Sequence, residues 1–197
     1  MPTPTTPSRQ PGRPRSQEAD DAILRAALEL LGEHMTVTAV SVGAIAQRAG
    51  VSKATIYRRW PGKVELYTDA VARLRQPLPA VDTGSVREDL TILITVICSE
   101  LDNPLEHAVD LLMMGGAHPD IAERVRQHVF APRTDTVAEV LRRGVDNGEL
   151  RSDIDLDVAF MLLFGGVHMY RRVGTTLTPH QRAQRLVDTM LAGVSTD

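Results

Sequence analysis

Disulfides, aromatic clusters and membrane-spanning runs are largely absent from this sequence of 197 residues. A single cysteine, Cys98, excludes a disulfide within one chain and fits a reducing compartment. Aromatic residues make up only 4%, so the core has to be mainly aliphatic, with methionine. The longest strongly apolar runs, such as VAFMLLFGGV at residues 158–167, are shorter than the roughly 20 residues of a membrane-spanning helix. The N-terminus has arginine and proline but no apolar stretch, which excludes a signal peptide. We expect a cytoplasmic protein that does not enter membranes.

Catalytic and metal-binding signatures are also absent. The chain contains no GxxxxGK[ST] phosphate loop, no HExxH zinc motif and no GxSxG nucleophile turn. Cys98 lies in the apolar run TVICSE, which is typical of a small core residue rather than a nucleophile. The histidines show no spacing typical of metal ligands. The sequence therefore predicts no enzyme, no cofactor and no metal site.

The charges that are present are divided unevenly between the two parts of the chain. Residues 1–77 hold 11 Lys and Arg against 7 Asp and Glu, a net charge of +4. Residues 78–197 hold 11 against 18, a net charge of −7. This division predicts that only the front part meets a polyanion, although charge alone leaves a chance segregation open.

Apolar residues recur at three- and four-residue spacing along most of the chain, which predicts an all-α protein of about nine helices. The run from Gln17 shows the pattern clearly, and Gly32 is a candidate for its end. The run TILITVI is β-branched enough to be a strand, but its length and the lack of a strand partner favour a helix. The first helix is expected to bury one face, formed by Ile23, Leu24, Ala27, Leu28 and Leu31.

Two short helices joined by RAGVS predict a helix-turn-helix at about residues 40–59. Ser41 and Ser52 are each placed to cap a helix N-terminus, and Gly50 suits a left-handed turn between the two helices. In such a motif the second helix lies in the DNA major groove with its N-terminal residues toward the base edges.

Donors and small side chains are concentrated on this second helix, as DNA recognition requires. Lys53 can reach a phosphate or a guanine edge, and Ala54 lets the helix approach closely and contact a thymine methyl. Thr55 offers a hydroxyl to a base or a phosphate, and the polar tip of Tyr57 suits a phosphate. The alternative is a surface helix that happens to be basic. Further positive charge for counterion release comes from Arg58, Arg59 and Lys63.

The stretch ILRAALELLGEHMTVTAVSVGAIAQRAGVSKATIYRRWPGKVELYTDAV strongly resembles the DNA-binding domain of TetR-family transcriptional regulators. The match covers residues 22–71 and is densest over residues 42–66. The resemblance implies an all-helical homodimer that places one short helix of each subunit in half of a palindromic operator. It also implies a ligand pocket in the C-terminal domain, whose occupancy moves the two DNA-binding heads apart. It implies a repressor in preference to an activator, and the effector is unidentified.

Individual roles follow from the same resemblance. Thr38 and Ser41 match positions that hold backbone phosphates, Lys63 matches a phosphate contact, and Trp60 matches the aromatic that packs the motif together. The family often has an aromatic residue where this chain has GEHMTVT, which offers His34 and Met35 instead. The positions that match the recognition helix are Ser52, Lys53, Ala54, Thr55, Tyr57, Arg58 and Arg59.

Three segments result from these patterns: an arm at 1–16, a DNA-binding domain at 17–77 and a ligand-binding and dimerisation domain at 78–197. The arm is rich in proline and cannot bury enough apolar surface to order by itself. Its PGRPR sequence is either a solvated tail or, on DNA, a slim arm for the minor groove. Residues 158–169 are apolar nearly all round, which favours dimerisation through the last two helices, at about 155–193, over a central helix in a monomer.

An apolar effector cavity is expected in the C-terminal domain, although each of its candidate residues, taken alone, is more often part of a plain core. A helical interaction module that does not bind DNA also stays open, and steep salt dependence of binding would argue against it. The candidate cavity residues are His107, Met113, Met114, His118, Phe130, Phe160, Phe164 and His168, with Met169 beside them.

Overall fold

Helices form nearly all the regular structure in residues 14–114 and 118–194, the part of the chain that the computed structural model describes. This part contains no β-strand, which confirms the all-α prediction. A π-helical turn, Arg126–Phe130, joins two of the helices without a break, so that counting them as one gives the predicted nine. The helices are α1 (Pro14–His34), α2 (Val42–Arg48), α3 (Lys53–Tyr57), α4 (Lys63–Leu74), α5 (Val86–Leu101), α6 (Glu106–Met114), α7 (Pro119–Val125), α8 (Ala131–Asp146), α9 (Leu156–Val173) and α10 (Pro179–Val194).

The predicted caps of α2 and α3 are confirmed. The Ser41 hydroxyl accepts a hydrogen bond from the backbone N–H of Ala44 at 3.0 Å, and the Ser52 hydroxyl accepts one from Thr55 at 3.1 Å. Each serine satisfies a backbone donor that the first helical turn leaves without a partner. Gly50 has φ of 67°, the left-handed conformation that the turn between the helices requires.

The ends of α1 differ from the prediction. The helix begins at Pro14, three residues before the expected start, so part of the predicted 1–16 arm belongs to it. The proposed minor-groove role of the arm otherwise lies outside the described residues. Gly32 does not end the helix, which continues to His34, and the left-handed residue that follows is Met35 with φ of 64°.

The β-branched run TILITVI is helical, as its length predicted, and lies within α5. Leu90, Leu93, Ile94 and Ile97 repeat at helical spacing, and each is at most 5% exposed. Helix α5 packs along α10, and α8 and α9 complete this core. No helix in the described ranges is both long and apolar enough to span a bilayer.

The core of the front part does not end where the predicted domain boundary falls. Ile45, Ile56 and Leu66 of the first four helices share one buried cluster with Val109 of α6 and Val125 of α7. A second cluster joins α5, α8, α9 and α10. Helices α6 and α7 therefore connect the front part to the rest of the chain through apolar packing, beyond the covalent link at residue 77.

Candidate nucleic-acid interface and internal cavity

Helix α3 stands on the surface with one apolar residue holding it in place. Ile56 is 1% exposed and lies in the same cluster as Ile45 and Ala46 of α2. On the outer side Lys53 and Ala54 are exposed, and Tyr57 keeps 55% of its surface in solvent. A tyrosine that is more than half exposed adds nothing to the core, so its apolar body is available to a partner.

Hydroxyl groups surround the N-terminus of α3. Ser52 and Thr55 are hydrogen-bonded to each other at 2.9 Å, and Ser52 is exposed while Thr55 is half-buried. Thr38 and Ser41 are exposed as well, on the loop before α2 and at its cap. These groups can bind phosphate oxygens as donors, and the helix N-terminus adds a favourable field for an anion.

The side chain of Lys53 crosses the first turn of α2. A Cβ atom at Gly43 would lie 2.8 Å from Cε of Lys53, closer than real Cβ atoms come to other atoms. The missing side chain of Gly43 therefore makes room for the aliphatic stem of Lys53, whose ammonium stays at the exposed surface of the motif.

Lys63 ties the start of α4 to the loop between α1 and α2. Its Nζ donates to the backbone carbonyl of Val37 at 2.7 Å, and partial burial lowers the pKa of Lys63 below its ordinary value. An ammonium has three N–H donors, so two remain for a phosphate. Arg58, at the end of α3, is exposed.

Arg59 does not face the same surface. Its Nε lies 2.7 Å from Oδ1 of Asp20 in α1, and its side chain is only 19% exposed. Trp60 is buried next to it, with its indole N–H donating to Asp69 at 2.7 Å. These two residues hold α3 against α1 and α4, the packing role expected for Trp60 but not for Arg59.

A cavity of about 400 Å³ lies between the end of α4 and helices α5, α6, α8 and α9, in the size range of small-molecule sites. Its wall includes Met113, Phe130, Phe164, His168 and Met169 of the expected group. Three others of that group do not line it: His107, His118 and Phe160. The side chain of Met114 lies outside the described residues.

The displaced residues have identifiable neighbours. Nε2 of His107 lies 3.4 Å from the sulfur of Met35, on the side of the front part. Phe160 packs on Phe164 with ring centroids 4.5 Å apart, one helical turn away from the cavity. His118 is the residue at the N-terminus of α7.

Charged residues that the sequence reasoning missed form one end of the cavity. Arg75 and Glu106 are buried, with side chains 4% and 2% exposed, and Nη2 of Arg75 donates to the Glu106 carboxylate. Arg133 of α8 donates to Glu100 of α5 and to the backbone carbonyl of Gln76. No local pattern indicates these pairs, because their members are 31 to 57 positions apart.

Burial shifts the ionisation of groups at this end. Desolvation raises the pKa of Glu100 above its ordinary range even though Arg133 and Arg75 favour the carboxylate. Desolvation also lowers the pKa of His168, so its imidazole is neutral at pH 7. The cavity is thus apolar along its walls and ionic at the end where α4 stops.

Helix α9 also exposes an apolar surface that faces away from its buried residues and borders the cavity at Gly165 and Met169. We call it the α9 strip. Its members are between 44% and 70% exposed and recur at three- and four-residue spacing: Val158, Met161, Leu162, Met169 and Val173. Gly165 lies within the strip with no atom near its missing Cβ, whereas a Cβ at Gly166 would lie 2.3 Å from Cδ2 of Leu186 in α10.

Two family profiles match the chain. The profile described as bacterial regulatory proteins, tetR family, matches residues 23–70, which span most of α1 and all of α2 and α3. The profile described as tetracyclin repressor-like, C-terminal domain, matches residues 80–190. The first match ends at residue 70, within α4, and the second begins at residue 80, before the start of α5.

Relatives and solved structures agree with the profiles. An HTH-type transcriptional regulator of Mycobacterium tuberculosis is 35% identical over 191 residues, 95% of this chain and 90% of that protein. The regulator YdeS of Bacillus subtilis is 35% identical over 158 residues, 79% of each chain. The crystal structure of NalD, the secondary repressor of a multidrug efflux pump in Pseudomonas aeruginosa, shares the fold with a TM-score of 0.68 at 19% identity, over 94% of this chain and 100% of that one.

Proposed function

The chain belongs to the TetR family of DNA-binding transcriptional regulators, which are not enzymes, and from this membership we propose that it is a homodimeric repressor released from a palindromic operator by a small molecule. The observation that carries the proposal is the exposed outer side of α3, with Lys53, Ala54 and Tyr57 in solvent above a buried Ile56. Because the bacterial chromosome is its target, the regulator would act in the cytoplasm.

The proposed DNA interface consists of side chains that reach a groove and side chains that hold the flanking phosphates. Lys53, Ala54 and Thr55 are placed at the N-terminal end of α3, which meets base edges in helix-turn-helix proteins. The phosphate contacts would come from exposed or partly exposed donors: Thr38, Ser41, Ser52, Tyr57, Arg58 and Lys63. Arg59 is left out, because its guanidinium pairs with Asp20.

The α9 strip supports the dimer. Five large apolar side chains in register on one helix are an unusual exposure for a monomer, and they match the self-complementary surface that a two-fold contact needs. A palindromic operator requires that symmetry in its protein. In this proposal a second copy of the chain covers the strip, and α10 packs beside it.

Helix α4 supports the response to a small molecule. It begins at Lys63, beside the recognition helix, and ends at Leu74, where Arg75 enters the cavity. Twelve helical residues span about 18 Å, so one rigid element connects the two sites. An occupant of the cavity would therefore bias the position of α3. We propose repression in preference to activation because NalD, which shares this fold, is named a repressor.

The test is selection from a pool of random duplex DNA at moderate salt, followed by sequencing of the retained molecules. We expect a palindromic consensus and an affinity that falls steeply with salt. Lys53→Ala is expected to relax the preference at individual bases, at a cost of about 1–3 kcal/mol at the preferred base. Tyr57→Ala should instead weaken binding on all sequences.

Arg124→Ala serves as the matched control, since Arg124 is exposed on α7, outside the proposed interface. It should bind the selected sequence like the wild type. If no sequence is enriched, or if Lys53→Ala and Tyr57→Ala bind as well as the control variant, the assignment of α3 as the recognition helix is wrong. Binding partners that persist at high salt would favour an interaction module instead.

A further inference from the structure

Arg75 carries a buried hydrogen-bond donor that no acceptor meets. Its side chain is 4% exposed and lines the cavity. Nη2 donates to Glu106, whereas Nη1 has no hydrogen-bond partner among the described residues. Buried polar groups in proteins are nearly always satisfied, so a donor of this kind at the wall of a cavity indicates an acceptor that arrives with a ligand.

The neighbouring charges do not supply that acceptor. Nε of Arg75 lies 3.9 Å from Oε2 of Glu100, beyond hydrogen-bonding distance, and Glu100 accepts from Arg133 instead. Arg133 is fixed in turn by the backbone carbonyl of Gln76. The charges of Arg75 and Arg133 are thus balanced by those of Glu100 and Glu106. What Arg75 lacks is an acceptor oxygen atom for its Nη1 donor.

The other residues around the cavity favour an anionic oxygen over a cationic group. Four arginines line it against three carboxylates, Glu100, Glu106 and Asp110, and His168 is neutral at pH 7. Asp110 is paired with Arg171. The remaining wall is apolar and suits a hydrocarbon body: Ile97, Leu101, Val109, Met113, Phe130 and Phe164.

We propose that the cavity binds small molecules that have an apolar body and one terminal anionic oxygen group, a carboxylate in the simplest case, which accepts a hydrogen bond from Nη1 of Arg75. The inference rests on the proposed function, because it names the chemistry of the effector. It adds that Arg75 selects the effector, and that it does so at the residue where α4 ends.

Competition for the cavity among three ligands of equal chain length tests this selectivity. The reporter is N-phenyl-1-naphthylamine, an uncharged apolar fluorophore, and the competitors are octanoate, 1-octanol and octylamine at pH 7. A charge-assisted hydrogen bond corresponds to roughly a tenfold or larger gain in affinity. We expect octanoate to displace the reporter at a concentration at least about tenfold lower than either 1-octanol or octylamine.

Two variants separate a direct contact with Arg75 from a general positive potential. The double variant Arg75→Gln/Glu106→Gln removes one charge of each sign, so it leaves no unpaired buried charge and keeps the net charge of the cavity. It should bind the reporter but lose the preference for octanoate. Arg171→Gln removes one positive charge from the same cavity without altering Arg75, and it should keep the preference.

Glu106→Gln should change the affinity for octanoate in the opposite direction. It removes the carboxylate that competes for Arg75, so octanoate should bind more tightly than to the wild type, while 1-octanol should be unaffected. Equal displacement by octanoate and octylamine in the wild type would overturn the proposal, as would an octanoate preference that survives in the double variant.

These results are distinguishable from failure of the proposed function. DNA selection uses no ligand, so an operator consensus stands or falls independently of the competition. If the reporter binds but the three competitors are equivalent, the acceptor chemistry is wrong and the cavity remains an effector site. If the reporter does not bind at all, the cavity is no ligand site, and both this inference and the ligand-response part of the proposed function are wrong.

Discussion

Tyr67 in α4 has a polar group that contributes nothing to the fold. The residue is completely buried, its hydroxyl has no hydrogen-bond partner in the described part of the chain, and burial raises its pKa above the ordinary range. Desolvating a hydroxyl without a compensating partner is unfavourable. The ring fills the core under the helix-turn-helix, and the hydroxyl opposes its burial.

Tyr67→Phe is therefore expected to stabilise the protein. The substitution keeps the ring and removes the unsatisfied hydroxyl, so the free energy of unfolding should rise by about 1 kcal/mol. Urea denaturation measures this change, and Tyr57→Phe is the matched control, because the Tyr57 side chain is exposed and should show no effect. A loss of stability in Tyr67→Phe would mean that the hydroxyl has a partner, such as a buried water.

At Cys98 the sequence and the structure agree. The apolar run around it predicted a core residue, and it is 0% exposed in the cluster of α5, α8, α9 and α10. Burial raises the pKa of its thiol from an ordinary 9.0 to about 11. Local sequence was sufficient to predict its burial, because a small apolar residue on the apolar face of a helix is buried together with that face.

A pH dependence follows from that pKa. Below pH 9 the thiol is protonated in both the folded and the unfolded state, so its ionisation does not change the free energy of unfolding. Between pH 9 and pH 11 only the unfolded state loses the proton, and the wild type loses stability as the pH rises. The stability advantage of the wild type over Cys98→Ala, measured by urea denaturation, should narrow across this range. An advantage that stays constant would show that the thiol ionises equally in both states.

At the scale of single elements, the features that depend on neighbouring residues were predictable. Ser41 and Ser52 act as caps within three positions of their partners, and the turn glycine Gly50 has positive φ. Such signals survive folding because the atoms that satisfy them are local. The buried pair of Arg75 and Glu106 was not predictable, since each residue is an ordinary charge in its own segment.

Gly32 illustrates a local signal that the rest of the helix overrides. Glycine is a common C-cap, but α1 continues past it for two residues, and the first of these, Glu33, accepts two hydrogen bonds from Arg48 of α2. No atom outside the helix lies within 4 Å of its missing Cβ. Gly144 of α8 differs, because a Cβ there would lie 2.6 Å from a methyl of Val86 and 2.9 Å from Cγ of Leu150.

Alanine at these two glycines should have opposite effects on stability. Gly32→Ala gains helix propensity in open space, up to about 1 kcal/mol. Gly144→Ala gains the same propensity but forces Val86 and Leu150 apart, which costs about 1–3 kcal/mol by overpacking. Thermal unfolding of both variants checks the pair, with each as the other's control. Stabilisation by Gly144→Ala would show that α5 and the segment after α8 can shift to admit a methyl group at little cost in free energy.

At the scale of the whole molecule, the two buried clusters and the cavity between them arise from packing over long sequence distances. Helices α6 and α7 complete the core of the front part although α6 begins 29 positions after residue 77, where that part ends. This arrangement explains why Phe164 and His168 line the cavity whereas His107 and Phe160 do not. Helical spacing shows which residues share a face, and only the packed fold determines what that face meets.

The α9 strip leads us to expect that the protein dimerises through this surface. If a second copy covers it, a charge at its centre must be desolvated in the dimer but not in the monomer. Leu162→Glu, at a position 61% exposed, should therefore weaken dimerisation at least about thirtyfold and leave the helical circular dichroism of the protomer unchanged. Sedimentation velocity over a range of concentrations measures the shift, and operator affinity should fall with it, because separate half-sites are then bound independently.

The matched control is Ile92→Glu on α5, an exposed apolar residue outside the strip. It carries the same new charge and should sediment like the wild type. If Leu162→Glu remains dimeric at concentrations where the wild type does, the two-fold contact lies elsewhere, and the exposed side chains of α9 have to be assigned to a different partner. If both variants dissociate, the added charge acts through net repulsion instead of through the strip. Only dissociation confined to Leu162→Glu links the apolar face of α9 to the symmetry that a palindromic operator demands.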